Sequence, residues 1–174
     1  MTTGVILFLS IRAIHVLLAA IWVGATVFLT FFLMPTIASA GPVGGSIMVG
    51  LERRGLNKFF PSLGGMTVLS GIYLYWRFTG GFDPTVSGSH AGIAFGIGGA
   101  AGILAAIVGG SVVGRGAMQL QELAPRAATL PAGPERAALV AKLQSIQARV
   151  QTGSWIVLGC MAIALILMAI GHYV

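Results

Sequence analysis

The chain has 174 residues, of which 56% are hydrophobic and only 8% charged, with a mean hydropathy of +0.94. A soluble domain carries about 25% charged residues, so this composition excludes one and points to an integral membrane protein. The net charge of +6 comes from basic residues scattered beside apolar segments, not from one basic helix face, which argues against nucleic acid and for the lipid membrane as partner.

The reading is all-α. Four apolar segments, each near the ~20 residues that cross a ~30 Å hydrocarbon core, form a four-helix bundle in a single transmembrane domain. The domain spans 1–174. The first helix is expected over about 5–40, with Pro35 able to kink its last turns. "ASAG" at 38–41 resembles a signal-peptidase site, but the apolar stretch before it is too long for a signal peptide and no basic region precedes it. The first segment is therefore expected to be retained. The second helix is expected over 61–78, starting at Pro61 in its first turn, with Tyr73, Tyr75 and Trp76 as an interfacial aromatic belt.

The third helix, 89–118, contains "GIAFGIGGAAGILAAIVGGSVVGRG" and a formal G-x-G-x-x-A match at Gly96, Gly98 and Ala101. No strand precedes it, so the pattern is a small-residue surface that lets another helix, a flat cofactor or a second copy of the chain come close. A proline-broken turn follows at "PRAATLPAGP", 125–134. The fourth helix, 136–173, opens with "ERAALVAKLQSIQARV", which sets Leu139, Leu143, Ile146 and Val150 on one stripe. That stretch extends the fourth helix out of the bilayer against a matching extension of the third. Cys160, the sole cysteine, lies mid-segment, where it reads as a small core residue and can form no internal disulfide.

Eight of the ten basic residues fall at one end: Arg53, Arg54 and Lys58 between the first two segments, and Arg115, Arg126, Arg136, Lys142 and Arg149 around the last connection. Cytoplasmic loops collect such residues, so this end, with the extensions of helices three and four, is expected to be cytoplasmic in a bacterial inner membrane, with both termini outside. The three histidines lie at the other end. His15 is 23 residues from Ala38, His172 is 23 from Arg149, and His90 is 25 from Arg115. At 1.5 Å per residue each is ~34–38 Å from the inner boundary. The two remaining cations, Arg12 and Arg77, share that level.

Arg12 and His15 share a helix face with Ala19, Trp22 and Thr26, and Met66, Ser70, Tyr73 and Arg77 line up on the second helix. This pattern suits haem b: an imidazole for the iron, and cations about one turn nearer water for the propionates. His15 and His172 are the economical ligand pair, with His90 in reserve. Arg12 and Arg77 are the propionate partners, and Trp22 and Tyr73 are walls of the slot. Copper held by His15 with Met66, Met161 and Met168 is the alternative, and a non-catalytic assembly subunit using the glycine face of helix three is a third reading. Hydrolytic chemistry has no support, since Asp83 lies in the outer loop, the three glutamates lie at the basic end, and no H-E-x-x-H or P-loop occurs.

"IRAIHVLLAAIWVGATVFLTFFLMP", with its His15-x6-Trp22-x-Gly24 spacing, resembles the opening helix of the membrane proteins related to the copper-resistance protein D family and the HemJ-type protoporphyrinogen oxidases. "FFPSLGGMTVLSGIYLYWR" is similar to their second helix, with its proline-led start and a glycine such as Gly71. The resemblance implies haem b bound through His15, with porphyrinogen oxidation or electron exchange with a quinone or another redox protein as the activity. No lysine stands between Ala91 and Gly110, where HemJ-like proteins carry one in their third helix.

Overall fold

A computed structural model describes residues 3–174, and among them every regular element is helical. The first apolar segment is α1, Thr3–Ser39; α2 is Pro42–Arg53, α3 Leu56–Phe78, α4 Pro84–Ser87, α5 His90–Thr129 and α6 Pro134–Ile170. Three of them, α1, α5 and α6, at 37, 40 and 37 residues, are long and apolar enough to cross a membrane. The sequence led us to expect four such spans. Within α3, Asn57, Lys58, Ser62, Thr67, Ser70 and Arg77 dilute the apolar run. Even so, α3 packs along α1 on one side and α5 on the other, and α5 packs on α6.

Two of the long apolar helices contain a π-helical turn. In α1 the turn is Leu29–Leu33, where the Met34 N–H donates to the Leu29 carbonyl, five residues back. Pro35 explains it: proline has no N–H and its ring crowds the carbonyl four residues earlier, so a wider turn lets the helix continue. In α5 the π turn is Gly109–Gly114, in a glycine-rich stretch.

Several boundaries differ from the sequence expectation for physical reasons. Gly55 adopts φ +91°, closing α2 and opening α3 five residues before Pro61, which therefore sits inside the helix and not in its first turn. α2 itself fills what looked like a loop. α5 runs past 118 and through Pro125, ending at Thr129, because Leu130 precedes Pro131 and is pushed to extended geometry (ψ 138°). Between α3 and α5, Asp83 caps the short α4 by accepting from the Thr85 and Val86 N–H groups at 2.8 and 3.4 Å. Those bonds, the Thr85 one foremost, hold its carboxyl below the usual aspartate pKa.

The core draws on four helices: Trp22 from α1, Leu63 from α3, Ala105 from α5, and Val157, Cys160 and Met161 from α6. Cys160 is buried and free, as its position suggested. Outward, large apolar side chains face the surroundings, with Leu17 62% and Leu69 69% exposed, as they do on helices solvated by lipid. Beyond the apolar spans, the end of α5 packs on the start of α6, where Ile146 is 1% exposed and Leu139, Leu143 and Val150 are half-buried. Val150 closes directly over Gly116.

Because Ile146 is the best-buried large side chain of this extension, Ile146→Ala leaves a cavity that the two helices cannot fill. We expect a loss of about 2–4 kcal/mol, read as a lower unfolding midpoint in detergent micelles and faster proteolysis between Arg115 and Arg149.

Candidate functional site

α1 and α3 run antiparallel and meet through two rings set against two glycines. The His15 ring lies on Gly71, where an added Cβ would stand 3.0 Å from Cε1, and the Trp22 indole lies on Gly64, where a Cβ would stand 3.2 Å from Cζ2. The rings are seven residues apart on α1 and the glycines seven apart on α3, so each pair is two helical turns, ~10.5 Å, from the other. Close helix approach in an apolar medium relies on such small residues. Gly24, two residues after Trp22, has open space where a Cβ would go, so the tryptophan's glycine partner is on the other helix.

Hydrogen bonds fix the orientation of His15. Its Nδ1 is 3.0 Å from the Thr67 carbonyl oxygen and 3.0 Å from Ser70 Oγ. A carbonyl only accepts, so Nδ1 carries the proton, and Ser70 can accept the same N–H while donating its own proton to the Met66 carbonyl at 2.7 Å. In the neutral ring Nε2 then holds the lone pair, and among the described residues no protein group bonds to it. One helical turn away on the same helix as Ser70, the buried Thr67 Oγ1 has no hydrogen-bond partner.

His172 is placed differently. An Arg12 guanidinium nitrogen donates to its Nε2 at 2.9 Å, and its ring stands edge-on to Phe95 with centroids 4.9 Å apart. Phe95 in turn meets Phe78 at 5.1 Å, so the end of α6 is seated on aromatic side chains from α5 and α3. His90 is the exposed first residue of α5, just after the Ser89 cap, whose Oγ accepts from the Gly92 N–H at 3.1 Å. Arg77 and Phe78 share with Gly4, Val5 and Phe8 a cleft of about 240 Å³ at the end of the α1–α3 seam. Tyr73 pairs with Trp76, centroids 6.1 Å apart, and the Tyr75 hydroxyl donates to the Gly92 carbonyl at 3.2 Å.

The structure therefore brings Arg12 to His172, and His15 to Thr67, Ser70 and Gly71. Among the described residues no hydrogen bond or ring contact joins His90 to either of the other histidines. The methionines take separate places: Met161 is 2% exposed in the core, Met168 packs at Gly98, and Met66 is exposed. Among the described residues no group of three or more His, Cys, Asp or Glu side chains could hold a metal ion. Two partners escaped the sequence. Thr67 acts through its backbone carbonyl, which no residue type announces, and Phe95 looked like one more apolar residue of a glycine-rich helix.

Compared with family models, curated proteins and solved structures, the chain matches none of them.

The contact between His15 and Gly71 makes a direct test. Gly71→Leu overfills the notch and costs about 1–3 kcal/mol in micelle unfolding, while in a His15→Ala background the leucine has room and costs about 1–2 kcal/mol less. Strict additivity of the two changes would mean that ring and glycine do not meet.

Proposed function

We propose that this chain is an integral membrane four-helix bundle that binds haem b through His15 and works as a redox or electron-transfer protein. The observation that carries the reading is the contrast between the two glycine notches. Trp22, 7% exposed, fills its notch with a largely apolar ring. His15 occupies the equivalent place with an imidazole, which brings two polar nitrogens into an apolar span, where ionisable side chains are expensive and usually functional. Nδ1 is bonded to α3 and Nε2 is left with a lone pair, the arrangement found where a histidine binds metal through one nitrogen and is oriented through the other.

The donor set suits a porphyrin better than a bare ion. Iron in haem arrives with four ring nitrogens and asks the protein for one or two axial ligands, whereas a bare ion needs a side-chain cluster. His172 is the second candidate ligand and would have to leave Arg12 to offer Nε2. Arg77 at the cleft, and Arg12 about one turn from His15, are cations for propionates. The cleft of about 240 Å³ is smaller than an ordinary ligand pocket of ~300–1,000 Å³. The α1–α3 seam with Trp22 and Tyr73 is therefore one wall, and lipid or a second copy packed on the glycine-rich face of α5 completes the enclosure. Bound haem supplies one-electron transfer, and a quinone or another redox protein is the exchange partner. The lysine and arginine bias makes the basic end cytoplasmic, so His15 lies toward the outer face of a bacterial inner membrane, with the start of α1 and the end of α6 outside. The resemblance of the first two helices to the haem-binding and copper-resistance membrane families supports the same reading.

The test is an absorption spectrum of protein expressed with haem supplied, oxidised and dithionite-reduced. We expect a Soret band that is lost, or at least tenfold weaker per chain, in His15→Ala and retained in His90→Ala. A chain that purifies folded without a Soret band rules the proposal out, and stoichiometric copper without haem would move the assignment to a copper-handling protein.

A further inference from the structure

At the opposite end of the molecule from His15, the π turn of α5 and the start of its extension face α6 across a cavity of about 210 Å³. Its walls include Arg115 and Arg149, one from each helix, with Ser111, Gln119, Val112 and Ile146. No acid lines it. The neighbouring glutamates are engaged elsewhere: Glu122 pairs with Arg126 at 3.3 Å, and Glu52 accepts from Gln121 Nε2 at 3.0 Å. Two arginines thus line one small cavity, with Gln119 beside them as a neutral donor and no acid among the residues that line it.

Its depth identifies the occupant. Six residues beyond Arg149 on α6, ~9 Å along the axis, stands Trp155, exposed and edge-on to Phe31 of α1 with centroids 5.3 Å apart. Tryptophan at the border between an apolar span and a polar extension marks the headgroup level of a bilayer. The cavity opens just on the polar side of that border, while Val112 on its wall, and Ile107 and Leu104 further along α5, are exposed apolar side chains of the span. A cationic pocket followed by an apolar track fits a molecule that is anionic at one end and oily at the other.

We infer that the Arg115–Arg149 cavity binds the headgroup phosphate of an anionic phospholipid, with the acyl chains lying along α5 past Val112 and Ile107. Guanidinium forks match phosphate oxygens geometrically, and basic pockets between helices at the cytoplasmic surface are where such headgroups are held. The inference rests on the membrane placement of the chain and on neither His15 nor haem, so a missing Soret band would leave it standing.

The experiment is native mass spectrometry of the full chain released from nanodiscs of phosphatidylcholine and phosphatidylglycerol in equal amounts. The wild-type chain should retain phosphatidylglycerol in preference. R115Q/R149Q should weaken that retention about 30-fold, the share of two interfacial cations, while R136Q/K142Q, which removes equal charge elsewhere on α6, should not. R115K/R149K, folded and keeping both charges, should fall between them, which separates a lost site from a lost fold. Equal weakening in R115Q/R149Q and R136Q/K142Q would show diffuse attraction and overturn the site. Equal retention of the two lipids by wild type would overturn it too, as would displacement of the lipid by millimolar inorganic phosphate, which would make the cavity a site for soluble phosphate.

Discussion

Helices surrounded by lipid gain nothing by burying leucine against leucine, because the acyl chains are as apolar as the side chains, so they must associate by close approach and by the few polar bonds the apolar medium strengthens. That constraint organises this chain. Gly64 and Gly71 receive rings from α1, Gly98 lies under Leu167 and Met168, and Gly153 lies under Val112 and Val113. At Gly64, Gly71 and Gly153 even one Cβ would crowd the group that enters, while at Gly98 it would stand at ordinary contact distance. Of the α5 glycines, Gly98, Gly109 and Gly116 lie where α6 comes near, Gly96 lies under Tyr75 of α3, and Gly99, Gly102 and Gly110 face open space.

The same constraint explains how His15 is held in the packing. A ring that fills a notch is held by its neighbours, and the Thr67 carbonyl and Ser70 hydroxyl remove its remaining rotational freedom. An imidazole so oriented has lost, in folding, the entropy that a ligand would otherwise have to freeze out on binding. Trp22 shows what the notch alone requires. What distinguishes His15 from it is the unengaged nitrogen, and that difference is chemical, not steric.

Axial position follows from the sequence by arithmetic and azimuth does not. Counting residues from the basic end put all three histidines near one level; in the structure His172 stands on Phe95, His90 opens the helix that carries Phe95, and Arg12, one turn from His15, reaches His172. Helical rise is fixed at 1.5 Å per residue, so height along a continuous helix follows from arithmetic. Facing depends on packing, and π turns change it by inserting a residue into the ladder. Neither π turn has a residue signature, although Pro35 gives a reason for the first. The stripe of Leu139, Leu143, Ile146 and Val150 was legible because it lies in a polar context, where periodicity has contrast. Inside the spans, apolar residues surround each helix and the contrast vanishes. Helix ends were misplaced at Pro61 and Pro125, because proline forbids one hydrogen bond but not the helix when the neighbouring turns can absorb it.

The two ends of the molecule handle positive charge in different ways, and this bears on what each end can do. At the basic end Arg115 and Arg149 share a cavity that no acid lines, so they are available to an anion from outside. At the histidine end Arg12 donates to His172 and so ties α1 to the end of α6. These helices otherwise touch little along their length, apart from the core around Trp22 and the Phe31–Trp155 pair near the other end. Arg12 is therefore partly a structural clasp, and its loss would loosen the circuit of helices whatever else it does. Arg77, which lines an open cleft and makes no ion pair among the described residues, carries no such duty. Of the two cations near His15, it is the one whose side chain makes no hydrogen bond or ion pair among the described residues.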